Sequence, residues 1–251
     1  MNKRLFSRLK SLVNNEDYSK ITTNLGLSSN SKYSMELLNS MLTIRAEINN
    51  VSCFIDIGAY KGEVSKVFSE MYQLQDIFCF EPNHSLFNEI KQNLKGQNYV
   101  LENLILSGSS GEVEYFMHED PSMNSAVRAN GKVLKEHFPY DNPALGSIES
   151  RKSTTLDGYF NDESMIKENA FLKIDTQGNE LEVLMGGENT LKKVHSIMVE
   201  FMFLSPYDTR YSFEELISYL SNLGFECKGP VSVATRPSNQ ISAVDFLFVR
   251  S

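Results

Sequence analysis

From Val51 onward, short apolar runs alternate with longer amphipathic stretches. The runs VSCFID (51–56), DIFCFE (76–81), NYVLEN (98–103), AFLKID (170–175) and HSIMVEF (195–201) have the near-continuous apolar character of strands buried on both faces. Among them, GEVSKVFSEMY (62–72), HSLFNEIKQNL (84–94), NELEVLMGG (179–187) and SFEELISYLSNLG (212–224) place apolar residues at helical spacing, and Gly186 and Gly187 stop the third. Strand–helix alternation of this kind predicts an α/β fold, a parallel sheet with helices on both faces.

Two segments depart from the alternation. EVEYFMHE (112–119) alternates at period two and reads as an extra strand after the Gly111 turn. Residues 120–155 then carry three prolines with little periodicity, which marks a long insertion of the sort that supplies lids and substrate contacts. The chain ends in two strands around TRPSNQ (235–240), an antiparallel hairpin. Upstream, SMELLNSMLTIRAEI (34–48) reads as a helix capped by Ser34. The division expected is a helical N-terminal extension over residues 1–50 and one domain over 51–251, with a mostly parallel seven-stranded sheet and an insertion at about 120–155.

Composition narrows the setting. A formal net charge of −8 without a basic track disfavours nucleic acid, whose phosphates the average surface would repel. Three widely spaced cysteines fit a reducing compartment, and no Cys/His grouping has the spacing of a zinc site. With no run long enough to span a bilayer and no signal-like apolar core at the start, a cytoplasmic protein is expected. Leu5, Phe6, Leu9, Leu12 and Val13 share one helical face flanked by Lys3, Arg4, Arg8 and Lys10, a pattern open to weak contact with an acidic membrane surface or to packing on protein. Oligomeric state is not legible.

The chemistry concentrates at strand ends. In an open parallel sheet, ligands sit beyond the carboxyl ends of the strands. The first strand delivers DIGAYKG (56–62) there, with Gly58 and Gly62 permitting a tight turn and close approach of a ligand. The second ends at Glu81, where an acid can accept hydrogen bonds from a ribose diol. The loop has neither G-x-G-x-x-G nor a Walker sequence, so a phosphate cradle is missing. Acids without such a cradle favour a cationic nucleoside, S-adenosylmethionine; the alternatives are Asp56 as a helix cap and Glu81 as a solvated strand end. Asp175 and Glu200 close the fourth and fifth strands on the same edge and are the candidate general bases. Glu180 suits a helix N-terminus, and a hard cation on Asp175, Glu180 and Glu200 is a possibility that the spacing does not demand, so no metal is assigned. His195 starts its strand at the opposite edge and reads as structural, and His118 and His137 read as surface residues near the insertion. Met123, Asn124, Ser125, Arg128, His137, Phe138 and Tyr140 give the insertion a mixed apolar and hydrogen-bonding surface for an acceptor.

Seven segments resemble, in order, the FkbM family of S-adenosylmethionine-dependent methyltransferases: FIDIGAYKGEVS, IFCFEPN, ENLILSGSSGEVEYF, TTLDGYF, LKIDTQGNELEVLMGG, VEFMFLSPYD and SFEELISYLSNLGFE. They run from about residue 51 to 227, with AVDFLFVR as a fitting last strand, and D-x-Q-G-x-E-x-x-V-L-x-G-G is the most specific of them. The resemblance implies a class I methyltransferase sheet and methyl transfer, usually to oxygen on sugars, polyketides or related metabolites. A small-molecule or glycan acceptor is the partner it implies. It points to Asp56, Gly58, Ala59 and Gly62 as the cofactor loop, Glu81 and Pro82 beside the ribose, Asn103 to Ser107 as the adenine-side wall, and Asp175 near the methionine moiety. Tyr60 and Lys61 depart from the family's more frequent Asn-x after the alanine. A non-catalytic cofactor-binding or scaffold protein of the same fold is the competing reading.

Overall fold

Strand β1 (Cys53–Ile57) is buried along its whole length, as its unbroken apolar run requires. It lies between β2 (Asp76–Phe80) and β7 (Ala170–Ile174), parallel to both. The computed structural model describes residues 33–130, 145–208, 211–236 and 238–251, together with 22, 25 and 27. The amphipathic 3–13 segment and His137, Phe138 and Tyr140 of the insertion lie outside the described residues.

With β3 (Tyr99–Glu102), β8 (Val194–Met202), β9 (Phe225–Thr235) and β10 (Ile241–Arg250), these strands form a seven-stranded sheet in the order β3-β2-β1-β7-β8-β10-β9. β10 alone runs opposite to the other six strands, so the sheet is mostly parallel with a closing hairpin. The expected fold class, including helices on both faces, is observed. One face packs on α1 (Met35–Glu47), α2 (Glu63–Tyr72) and α3 (Phe87–Asn93), the other on α5 (Glu180–Met185) and α6 (Phe213–Asn222). A one-turn helix, α4 (Leu156–Tyr159), precedes β7 and adds Leu156 to the second face.

The alternation of strand side chains sorts these two cores. Phe54 and Phe171 point to the first face, where Phe68 of α2 stacks on Phe54 with ring centroids 4.2 Å apart; Ile55, Ile57, Leu172 and Ile174 point to the second. Helix boundaries follow local signals: Ser34 caps α1 by accepting from the Leu37 N–H at 3.1 Å, and Ser212 with Glu215 forms a reciprocal capping box on α6. Gly186 ends α5, as its sequence predicts.

A second sheet, β4-β6-β5, is built from β4 (Ile105–Leu106), β5 (Gly111–His118) and β6 (Leu145–Thr154). The period-two strand is thus present, but it stands outside the main sheet. The end of the supposed aperiodic insertion is a ten-residue strand. LGSIESRKST lacks an apolar face, and Ile148 is 45% exposed, so main-chain pairing to β5 defines β6 and periodicity could not reveal it.

Helix α1 is bound to the core through Leu38, Met41 and Ile44, and the Tyr72 hydroxyl of α2 donates to the Ile48 carbonyl at 2.9 Å. Ile44 is fully buried. We expect Ile44→Ala to cost about 2–5 kcal/mol in a urea unfolding titration, the range for a large-to-small change in a packed core; an unchanged midpoint would show α1 to be dispensable to it.

Candidate functional site

Strand parity also builds the site. On β1 and β7, the positions after Phe54 and Phe171 on the same face are Asp56 and Lys173, paired in register. Asp56 is fully buried, 3.1 Å from the Lys173 ammonium, and accepts from the Ser65 hydroxyl at 2.6 Å. Burial alone would lower the Lys173 pKa, but the charges of Asp56 and Asp175 outweigh it and hold the lysine protonated. Lys173 also donates to the Gly58 carbonyl at 2.9 Å, which ties the ion pair to the loop after β1.

That loop turns tightly. Gly58 has φ +76°, and a Cβ there would come 1.8 Å from the Asp175 carbonyl oxygen, so any other residue would drive the loops after β1 and β7 apart. The N–H groups of Gly58 and Ala59 donate to the Phe80 carbonyl at 3.0 and 3.1 Å. Tyr60, itself at φ 51°, donates its N–H to Glu81 Oε2 at 2.9 Å, while the Asn83 N–H meets Oε1 at 2.7 Å. Burial pushes Glu81 up to about 7, against the pull of these two N–H groups and Lys173. Gly62 closes the turn by donating to the Ala59 carbonyl at 2.7 Å and begins α2.

One step further along the same face, strands β2, β7, β8 and β10 bring Glu81, Asp175, Glu200 and Asp245 to one end of the sheet, with Glu200 opposite Asp245 in register. Asp175 keeps a third of its side chain exposed and lies 3.5 Å from Lys173. The Gln177 amide Nε2 donates to both Asp175 Oδ1, at 2.8 Å, and Glu200 Oε2, at 3.0 Å. Burial, then the charges of Asp175, Asp245 and Glu180, push Glu200 well above the usual carboxylate range. Burial followed by Asp175 pushes Asp245 up to about 7. Glu180 spends its oxygens on the loop, accepting from the Thr176 N–H at 3.0 Å, the Gly178 N–H at 2.9 Å and the Tyr211 hydroxyl.

These elements surround a cleft that opens to solvent at its mouth. Of the residues read from the sequence, Gly58, Glu81, Pro82 and Asp175 line it together. Asp56 does not reach the cleft wall and lies beneath it in the ion pair. Ala59 and Gly62 shape the turn without facing the cleft. Asn103 stands behind the wall, its amide donating to the carbonyls of Glu81 and Pro82 at 3.1 and 2.7 Å, and Ser107 pairs with Thr154. The wall between them is Leu104, Ile105 and Leu106. Glu200 also lies off the wall and is joined to it through Gln177.

Lys173, Gln177, Tyr115 and Tyr207 escaped the sequence reading, and Asn124, read as part of an acceptor surface, lines the cleft. Lys173 had a signal: a lone cation inside a strand buried on both faces needs a partner of like parity on the next strand. Tyr207 lies 30 residues beyond Gln177, and its hydroxyl comes within 3.3 Å of the Gln177 Oε1. Across this loop lies a second groove with Phe201, Phe203, Tyr207, Tyr211 and Phe213 in its walls. His195 is at the far end of β8 from the cleft.

Among the described residues, no three His, Cys, Asp or Glu side chains are grouped to hold a metal ion. No helix of the described residues is long and apolar enough to cross a membrane.

A family model, the methyltransferase FkbM domain, matches residues 56–227, more than half of the 251 residues. The chain is 22% identical over 188 residues to the 2-O-methyltransferase NoeI of Sinorhizobium fredii, covering 71% of this chain and 75% of that protein. Among solved structures it resembles methyltransferase FkbM from Methylobacillus flagellatus KT, at 12% identity and a TM-score of 0.52, over 84% of this chain. The chain spans 47% of that structure, and identity this low shows the fold alone.

Removing one partner of a buried ion pair strands the other charge. Lys173→Met is therefore expected to lower stability by about 3–5 kcal/mol in chemical denaturation, and adding Asp56→Asn should recover part of the loss. A double variant no more stable than the single one would mean that Asp56 is not what Lys173 neutralises.

Proposed function

Because the chain belongs to the FkbM methyltransferase domain family, we propose that it is an S-adenosylmethionine-dependent O-methyltransferase acting on a hydroxyl of a sugar, glycan or related small molecule. The observation that carries this reading is the acid-lined cleft at the carboxyl edge of the sheet, with Glu81 buried in its wall and Asp175 open to it. The donor set fits a cationic nucleoside: Glu81 offers carboxylate oxygens to a vicinal diol, and the acids exceed the single lysine paired with them. S-adenosylmethionine, bound there, supplies an electrophilic methyl group and a leaving group that needs no proton.

This chain's own part is alignment and proton removal. Glu81 and Pro82 would hold the ribose, Leu104 to Leu106 the adenine, and Gly58 the approach of the methionine portion past the loop. Of the two candidate bases, Asp175 is the one whose side chain lines the cleft, so it is assigned to take the proton of the acceptor hydroxyl. Glu200, reached through Gln177, holds that amide in place and is assigned a positioning role. The aromatic groove beside the loop suits the apolar face of a sugar or a ring-bearing metabolite. The relative NoeI, a 2-O-methyltransferase, supports oxygen as the target atom.

The test is calorimetry with S-adenosylhomocysteine, followed by incubation with methyl-labelled donor and a cell extract and identification of the labelled product. Binding with an O-methylated product supports the reading; absence of binding sinks it. Asp175→Asn is expected to lower turnover by about 10²–10⁴-fold, the usual contribution of a general base, with little change in S-adenosylhomocysteine affinity.

Binding should also depend on pH. Glu81 is raised to about 7, so in the free protein its contribution to stability is full below the ordinary glutamate range and is lost as pH rises through about 7. A diol donating to the carboxylate favours the ionised form. Affinity for S-adenosylhomocysteine should therefore tighten between pH about 6 and about 8, with proton release at the lower end, and Glu81→Gln should flatten the trend.

A further inference from the structure

The chain after β5 doubles back along it. Asp120 caps a short turn at Pro121–Met123 by accepting from the Ser122 N–H at 3.0 Å, and Ser125 then pairs with Phe116 through main-chain bonds of 2.8 and 3.2 Å. Both neighbours of Asn124 are anchored to other loops. The Tyr207 hydroxyl donates to the Met123 carbonyl at 2.8 Å, and the Ser125 hydroxyl donates to the Gln177 carbonyl at 2.7 Å. Asn124 is therefore held in a fixed place in the cleft wall, 7% exposed.

Its amide has a determined orientation. The His118 N–H donates to Asn124 Oδ1 at 2.7 Å, and because an N–H must meet an oxygen, the Nδ2 is the other atom. That Nδ2 is buried with no partner at good hydrogen-bond distance and angle, and the Tyr115 side chain lies beside it. Buried donors are nearly always paired, and one left open in the wall of a binding cleft calls for an acceptor on the ligand.

The geometry points to Asn124 as a cofactor-recognition residue whose Nδ2 donates a hydrogen bond to an acceptor atom of the adenosine half, a ribose oxygen or a purine nitrogen. This rests on the S-adenosylmethionine reading of the cleft. The adenosine half is favoured over the amino-acid half by what adjoins Asn124. Tyr115, which lines the cleft with it, is two residues from Val113 on β5; opposite Val113, Arg151 of β6 donates to Asn103 Oδ1 at 3.1 Å, and Asn103 in turn holds the Glu81 and Pro82 carbonyls, which places this part of the wall at the diol end.

Asn124→Asp keeps an oxygen for the His118 N–H and removes the donor. We expect it to weaken both S-adenosylhomocysteine and 5′-methylthioadenosine by about tenfold or more in calorimetry, about 1.4 kcal/mol. The neutral 5′-methylthioadenosine has no amino-acid half, so a loss seen with S-adenosylhomocysteine but not with it would overturn the assignment, as would affinity within twofold of wild type for both. Should the variant not fold, amide NMR on wild-type protein decides the matter: the side-chain N–H₂ of Asn124 should shift and gain protection from exchange when 5′-methylthioadenosine is added, and no change would overturn the inference. If the wild-type protein binds neither compound, the reading of the cleft itself fails, a result distinct from failure at Asn124.

Discussion

Asp56 and Lys173 set two charges on the sheet face that also carries Phe54, Phe171, Ile77 and Met198, one strand apart and in register. Such a pair is poor evidence for stability, since desolvating two ions offsets much of their attraction. What it provides is position. Lys173 reaches three groups, the Asp56 carboxylate, the Gly58 carbonyl and the Asp175 carboxylate, and these belong to the two loops that meet at the cleft. The close passage of Gly58 over the Asp175 carbonyl leaves those loops no slack. The shape of the cleft floor is thus a consequence of one lysine's reach.

The same parity rule explains why the site is acidic. Side chains two residues apart on a strand share a face, and on four strands the position past the apolar core is Glu81, Asp175, Glu200 or Asp245. Crowding acids around one cation in a partly dry site raises the cost of ionising the buried ones, which is why burial and neighbouring charge lift Glu81, Glu200 and Asp245. A positively charged ligand relieves that repulsion, and a phosphate would aggravate it.

The main sheet was legible because its strands are unbroken apolar runs and its helices carry clear start and stop residues, Ser34, Ser212 and Gly186 among them. Glu81 and Asp175 were legible because strand ends announce an edge. Asp56 was misplaced: a carboxylate at a strand tip reads as ligand-facing until its parity is matched with Lys173 on a neighbour 117 positions away. Strand β6 has no apolar rhythm to detect. Gln177, Tyr207 and Asn124 act through contacts between loops distant in sequence, and local pattern carries no trace of such meetings. Their roles come from geometry alone.

The double hydrogen bond from Gln177 has an effect on traffic through the site. A carboxamide can donate to two acids at once, but it has no proton to give up and no basic site with which to collect one. It therefore insulates Asp175 from Glu200 while holding them side by side. Under the assignment of Asp175 as proton acceptor proposed above, the proton does not pass inward along this contact toward the interior acids; its exit is outward, to solvent at the open third of the Asp175 side chain.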